Sequence, residues 1–429
     1  MRLLSSFMVI VLCLSTSYLF AQDIQYSRCN DQRGLNVFEP SKMTNVEYTG
    51  FKLDIGGAFT QGYQALNHSN NDTFTLASKK LYALGNGFNL AAANLNFDVQ
   101  LGDGIRMFLE NYMAARHHNE FWVKGGYIQI DKLPMFNNPE WFTKYFRVKL
   151  GHMEINYGDQ HFRRSDGGNS IFNPFVENHI LDQFTTEIGG EVYAYPMEGL
   201  MLMLGMTNGL IKNDVFDYST NPTTAVQKKS PAILLKAAYD KSMEKLRFRL
   251  SASMYTNSET PRSTLYSGDR TGSNYYGVME NTTFNATSNF TSGRFNPGTY
   301  NSITAIMINP FVKYQGFEFF GTYEIANGKT IAETEDRKTS QLAVEAVYRF
   351  FANEQVFVGA RYNTVTSRLS GYASDVDVNR VAISAGWYPT KNLLLKGEYV
   401  TQKYENFSAT DLRNEGKFDG IAVQAVVGF

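Results

Sequence analysis

Gln341-Leu342-Ala343-Val344-Glu345-Ala346-Val347-Tyr348-Arg349-Phe350 carries an apolar side chain at every even position and sets Gln341, Glu345 and Arg349 among the odd ones. Side chains of an extended chain point alternately to opposite faces, so this segment reads as a strand with one apolar and one polar face. The same period of two runs through Asn94 to Leu101, where even positions are polar and odd ones apolar, and through Arg247 to Met254. A soluble sandwich alternates in the same way, so the pattern alone leaves sandwich and barrel both open.

The connections separate the two. Outward from this stretch the sequence holds about sixteen such segments, near 50–63, 88–101, 105–115, 122–133, 145–156, 185–196, 199–209, 231–240, 246–257, 302–315, 317–327, 339–350, 356–366, 378–388, 393–405 and 418–429. Even-to-odd connections are mostly tight: Gly102-Asp103-Gly104, Glu198-Gly199, Gln315-Gly316, Ala352 to Gln355, Pro389 to Asn392. Gly, Asn and Pro supply hairpin-turn chemistry there. Odd-to-even connections are long and polar, near 64–87, 157–184, 210–230, 258–301, 328–338, 367–377 and 406–417. Sorting by parity means that the two ends of the sheet meet different surroundings, which a sandwich has no reason to do. The expected fold is all-β, a transmembrane antiparallel β-barrel of about 16 strands with short periplasmic turns and long extracellular loops.

Composition agrees. The 429 residues include 26 Tyr, 32 Phe and 35 Gly but only 11 Pro, and 40 Lys+Arg against 41 Asp+Glu leave a net charge of −1. That balance excludes a basic nucleic-acid-binding protein and a disordered acidic chain. Beyond the leader no run reaches 18 apolar residues, so no membrane helix is expected. Aromatic residues near strand ends, Phe350-Phe351, Trp387-Tyr388 and Phe319-Phe320, suit the girdles at the two membrane interfaces.

The first residues, MRLLSSFMVIVLCL, followed by small and polar residues up to Phe20-Ala21, read as a secretory signal peptide over 1–21. Its apolar run is too short to span a bilayer. Leu12 stands before Cys13 where a lipoprotein signal needs a small residue, and the cleaved chain keeps only Cys29, so no internal disulfide is expected. Residues 22–49 are polar and mixed, a periplasmic or lumenal segment ahead of the barrel at 50–429.

The last segment ends on Phe429. It resembles the C-terminal strand of bacterial outer-membrane proteins, whose terminal Phe belongs to the membrane-insertion signal read by the barrel-assembly machinery. The mature chain as a whole resembles the phosphate-selective porin O/P type in the form found in Bacteroidota. The stretches that carry this are Arg33 to Pro40, Phe162 to Val176 and Phe317 to Glu324. The resemblance implies an outer-membrane pore of a Gram-negative cell, open to small hydrophilic solutes. It transfers no phosphate ligand residue by residue.

In a barrel this wide the polar faces point into water. Alternation turns inward a basic set (Lys52, Arg106, Arg147, Lys149, Lys236, Arg247, Arg249, Arg349, Arg361, Arg380, Lys396) and an acidic set (Asp54, Asp98, Glu110, Asp131, Glu187, Glu191, Glu318, Glu324, Glu345, Glu398). The two nearly cancel, but Arg147, Lys149, Lys236, Arg247 and Arg249 form a basic arc. The 157–184 loop mixes charges with apolar anchors, Phe172, Pro174 and Phe175, and is the expected constriction. Arg163, Arg164, Asp166, Glu177 and Asp182 would line it, with the two arginines attracting phosphate or carboxylate groups.

No catalysis is expected. The six His do not sit in a nucleophile-elbow setting, and no Cys/His framework has zinc spacing, so neither catalytic residues nor a metal nor a cofactor is assigned. The reading is a passive diffusion channel in contact with outer-membrane lipid, with a homotrimer among the assemblies open to it and no nucleic-acid partner. The alternative is a receptor or adhesin that binds a partner through its long outer loops.

Overall fold

The computed structural model describes residues 24–44, 46–71, 79–117, 119–166, 169–210 and 229–429. The expected leader over 1–21 and most of the 210–230 connection lie outside the described residues. Sixteen strands close into one barrel, each hydrogen-bonded to its chain neighbours and β1 to β16. They are β1 (Lys52–Ser69), β2 (Gly87–Gly102), β3 (Ile105–Ala114), β4 (Trp122–Ile130), β5 (Phe146–Glu154), β6 (Thr186–Met197), β7 (Leu200–Thr207) and β8 (Ala232–Ser242). The second half is β9 (Leu246–Asn257), β10 (Ser302–Tyr314), β11 (Phe317–Lys329), β12 (Arg337–Phe350), β13 (Val356–Ser367), β14 (Val376–Thr390), β15 (Leu393–Glu405) and β16 (Lys417–Gly428).

Every pair of neighbours is antiparallel, and the seam joins Ala58 to Gly428 and Ser69 to Lys417. Closure leaves no sheet edge, which is what a strand protein needs in hydrocarbon, where an unpaired backbone group has no water to bond.

The expected boundaries differ from these by a few residues, with one larger miss. β1 runs to Ser69 rather than 63, because Asn67, His68 and Ser69, turn-like in composition, are paired by Asp419, Phe418 and Lys417 of β16. The β4–β5 connection departs from the tight-turn rule. It holds a 3₁₀ turn at Pro134–Phe136 and a short helix, α1 (Glu140–Tyr145), docked against β5 and β6.

Alternation also corrects the girdle assignment. In each of two adjacent aromatic pairs only one ring faces out: Trp387 is exposed while Tyr388 is buried, and Phe320 is buried against Phe38 and Phe311. Neighbours on a strand cannot share a face. Phe350 and Phe351 are both exposed only because Phe351 leaves the strand, with φ of +68°.

The outer face is apolar along the strands, as in Val358, Val381, Ile383, Tyr399, Ile421 and Val423, all exposed. The inward face is not uniformly polar. On β12 to β16 it carries Val347, Phe357, Val378, Leu394, Val400, Phe418 and Val426, all buried, and these form one core with Ile171, Phe175, Ile180, Leu181, Tyr275 and Phe295 from the long connections. Inward residues of β6 to β11, among them Tyr193, Met203, Leu234, Tyr255 and Met307, join the same core, which therefore lies inside the barrel between the wall and the chain that fills it.

Val423→Arg should cost about 2–4 kcal/mol at mid-depth, whereas Asn96→Arg, on the inward face of β2, should cost much less. Urea titration of the two variants folded into bilayers measures the difference, and equal costs would rule out an outward-facing lipid surface at Val423.

Candidate functional site

Three segments occupy the lumen. Residues 24–43 cross it at the short-turn end: Gln25 Nε2 donates to Asp103 Oδ1 at 3.2 Å, and the Gln32 backbone N–H donates to Lys391 O at 2.9 Å. Residues 157–166 and 169–184 lie above this strap, where the Arg28 guanidinium donates to Phe162 O at 3.1 Å. Part of the 258–301 connection descends onto them from the long-loop end, bringing Ser273 Oγ to within 2.7 Å of Glu177 Oε2.

Chain in the middle of a barrel has no strand to pair with, yet its buried N–H and C=O groups need partners. The wall supplies side chains. Lys396 donates to Ser170 O, Asn173 O and Phe175 O at 3.0, 2.8 and 2.7 Å. Arg361 donates to Glu177 O at 2.6 Å and Arg380 to Asn178 O at 2.8 Å. Glu398 accepts from Val176 N, Asn363 from Ile180 N, and Gln341 both accepts from and donates to Leu181. Aromatic contact completes the seat, with the Arg361 guanidinium 4.0 Å over the Phe175 ring. Gly359 leaves room for that ring: a Cβ there would stand 3.3 Å from Phe175 Cζ.

Four of the five loop residues expected at a constriction, Arg164, Asp166, Glu177 and Asp182, are gathered into one buried cluster. Arg164 pairs with both Asp166 and Asp182. Arg294 reaches Asp166, Glu177 and Asp182 at 3.3, 2.8 and 2.6 Å. For Asp166 burial favours the neutral form, but Arg164 and Arg294 outweigh it and hold the carboxyl at about 2. Arg163 lies elsewhere, donating to Asn36 Oδ1 at 2.5 Å and Glu345 Oε2 at 3.2 Å, with its plane 4.9 Å over Phe320. Both loop arginines are thus engaged by protein acceptors, and all five residues are buried.

The expected basic arc divides likewise. Lys236 and Arg249 share a square of charge with Glu39 of the strap and Asp159, at 2.6 to 2.9 Å. Burial raises the Glu39 carboxyl, but Arg249 and Lys236 outweigh that and hold it well below the usual range. Arg147 bonds Asp131 at 2.8 Å and Pro40 O at 2.7 Å, and half-buried Arg247 bonds Asp240 at 2.7 Å and Asn36 O at 2.9 Å. Lys149 is freer: its ammonium lies 3.5 Å from Glu191 and 4.4 Å from the Tyr127 ring centroid.

What remains open lies to one side. A cavity of about 220 Å³ runs between the inserted chain and the β2–β6 wall. Asp98, Arg106, Glu110, Lys124, Arg147 and Lys149 line it from the wall, and Arg28, Glu39, His161 and Asn169 from the inserts. Its charges are unevenly paired. Arg106 meets Asp98 at 2.6 Å, but Lys124 stands 3.8 Å from Glu110 and 3.6 Å from Asp269. Arg28 donates to the carbonyls of Gly34 and Phe162 while stacking 3.9 Å over Phe172, and burial beside Arg163 lowers it to about 9. Only Arg147 and Lys149 of the expected site residues touch this space.

Lys124, Glu154, Arg28, Glu39, Asp159 and Arg294 were missed by sequence reasoning. Alternation through Trp122-Val123-Lys124 places Lys124 inward and had the power to find it. No period-two signal reaches the others except Glu154, at the end of β5.

No family model matches this sequence, and no curated protein does. Solved structures with a similar fold include the channel DcaP of Acinetobacter baumannii (10% identity, TM-score 0.55, covering 89% of this chain and 99% of that one). The anion-selective porin of Comamonas acidovorans is similar at 12% identity, with a TM-score of 0.53 over 88% of this chain and 100% of the other. OmpF of Salmonella typhi is similar at 13% identity, with a TM-score of 0.51 over 89% and 98%. This chain has the closed barrel common to these outer-membrane proteins of Gram-negative bacteria, and its apolar outer face suits that membrane.

Glu39→Gln leaves Lys236 and Arg249 sharing Asp159, with Asp240 a more distant 3.7 Å from Arg249. Breaking a buried pair from one side costs about 3–5 kcal/mol, so the urea midpoint of the folded barrel should fall by a corresponding amount. An unchanged midpoint would mean that the strap is not held by this square. A pH effect is expected at the outer mouth, where burial raises Glu280 from 4.5 to about 7 while Ser292 and Asn289 donate to it. The folded loop binds a proton that the unfolded one releases near 4.5, so its stability falls as pH rises from about 4.5 through 7. Amide exchange of residues 279–293 should quicken over that window, and Glu280→Gln should flatten the response.

Proposed function

We propose that this protein is an outer-membrane porin through which small hydrophilic solutes diffuse passively along the β2–β6 wall. The observation that carries the reading is the off-centre cavity of about 220 Å³ against the β2–β6 wall, lined by charged side chains of both signs. Five cations (Arg28, Arg106, Lys124, Arg147, Lys149) and four acidic residues (Glu39, Asp98, Glu110, Glu154) line it, all on the wall except Arg28 and Glu39, which come from the inserted strap. A narrow path of this kind selects by size and by a transverse field more than by net charge.

The sequence resemblance to the phosphate-selective porin O/P type of Bacteroidota makes small anions the first solutes to try. In this reading 157–184 is the constriction loop, and its arginines act by fixing the loop rather than by meeting the solute. Homotrimeric assembly and recognition of Phe429 by the assembly machinery belong to the same proposal. Phe429 is bonded in both directions to Gly57, at 2.9 and 3.0 Å.

A second reading, a receptor for an extracellular ligand, draws support from a recess of about 410 Å³ among the outer loops, lined by Lys79, Glu280, Asp411 and Arg413. Liposome swelling with sugars of graded size separates the two, because a receptor with a closed lumen shows no size cutoff.

Asn169 faces the cavity from the loop side, so Asn169→Trp should cut single-channel conductance severalfold in planar bilayers. Val378→Ala, on the packed side, should leave conductance near the wild-type value. Equal conductance in wild type and Asn169→Trp would remove the β2–β6 path.

A further inference from the structure

The β4–β5 connection is the one place at the short-turn end where the chain makes more than a turn, and it is apolar on the outside. Met135, Phe136, Trp141 and Tyr145 are 62, 71, 59 and 43% exposed. Phe142 of α1 faces the other way, buried near the Lys42 ammonium, whose Nζ is 5.6 Å from its ring centroid. α1 therefore has a protein side and an apolar side with no protein cover. This elbow stands at the thinnest part of the wall: β4 and β5 pair over only Gly126–Ile130 with Val148–His152, five residue pairs, fewer than any other neighbouring strands among the described residues.

The apolar side of the elbow continues a surface already assigned to lipid. Arg147 and Lys149 of β5 point into the lumen, so Phe146, Val148 and Leu150 point out, and Trp141 packs edge-on against Phe146 with ring centroids 5.8 Å apart. Trp and Tyr settle at the headgroup level of a bilayer, where an apolar ring and a polar edge are both satisfied. Lys144, paired with Glu140 and exposed, sits on the same helix where a lipid phosphate is in reach of its flexible stem.

We propose that the elbow 133–145 is a lipid-binding foot: Met135, Phe136, Trp141 and Tyr145 enter the periplasmic leaflet of the outer membrane and extend the apolar belt where the β4–β5 wall is shortest. The occupant is phospholipid. The foot does for this sector what extra strand length does elsewhere, and it braces the wall on the same side as the open cavity.

The sequence has three Trp, so Trp122→Phe with Trp387→Phe leaves Trp141 as the only reporter. With the full barrel in nanodiscs of brominated phospholipid, Trp141 emission should be blue-shifted, strongly quenched by the lipid and weakly quenched by acrylamide. Met135→Ser with Phe136→Ser in that background should reverse the order of the two quenchers. Quenching by acrylamide and not by lipid would place the elbow in water and overturn the proposal. Protection from both quenchers would overturn it too, since a second copy of the chain would then cover the elbow. Should the double Phe variant fail to fold, the emission difference between wild type and Trp141→Phe gives the same readout.

Discussion

Everything inside this barrel depends on the hydrogen bonding of chain that has no strand beside it. A strand satisfies its backbone by lying next to another, but residues 170–183 are enclosed with little such pairing, Ile180 O accepting from Phe295 N at 2.8 Å. Their N–H and C=O groups are met instead by Lys396, Arg361, Arg380, Glu398, Asn363 and Gln341 from β12 to β15. Each of these side chains alternates along its strand with an apolar residue on the lipid face. The strand period thus places clamps at regular intervals, and the loop is seated on a lattice that the sheet provides.

This seat makes the lumen asymmetric. Where clamps and buried Val, Phe and Leu alternate with the loop's own Phe175, Ile180 and Leu181, there is a dry core. Where the wall offers Lys124, Lys149, Asp98 and Glu110 instead, nothing packs, and open space is left. Charge follows the same division. On the packed side guanidinium groups and carboxylates form short, closed sets, as in Arg164 and Arg294 with Asp166, Glu177 and Asp182. Along the cavity the two lysines keep longer contacts, Lys124 at 3.6 and 3.8 Å and Lys149 at 3.5 Å from their carboxylates, whereas Arg106, Arg147 and Glu39 are paired at 2.6 to 2.8 Å. Buried ion pairs recover little net energy over their desolvation, so their value here is in fixing one arrangement of the inserts.

The barrel was legible in the sequence because the period of two and the sorting of loop lengths are local signals, and both come from the membrane. Val423 and Gln424 fall on the expected faces, exposed and buried respectively. The site was much less legible. Alternation says that Arg361 or Lys236 points inward, but whether it meets water or another segment depends on contacts across more than a hundred residues, such as Arg361 with Glu177 or Lys236 with Glu39. Arg163 and Arg164 look like solute ligands in the sequence because an arginine pair in a loop carries no sign of the distant carboxylates, Asp182 and Glu345, that it meets in the fold. Glu39 carried no signal at all, since the strap that holds it has neither strand nor helix periodicity. The two inward rings, Phe320 and Tyr388, follow strand parity, which turns one member of each adjacent aromatic pair into the lumen.

The clamps grip amide groups, which are the same in every amino acid. Lys396 gathers three carbonyl oxygens and reads none of the side chains attached to them. A position such as Asn169, whose side chain looks across the gap, is therefore free to change without loosening the seat beneath it. One scaffold can in this way carry many linings, with a few loop positions open to change while the hoop around them stays as it is.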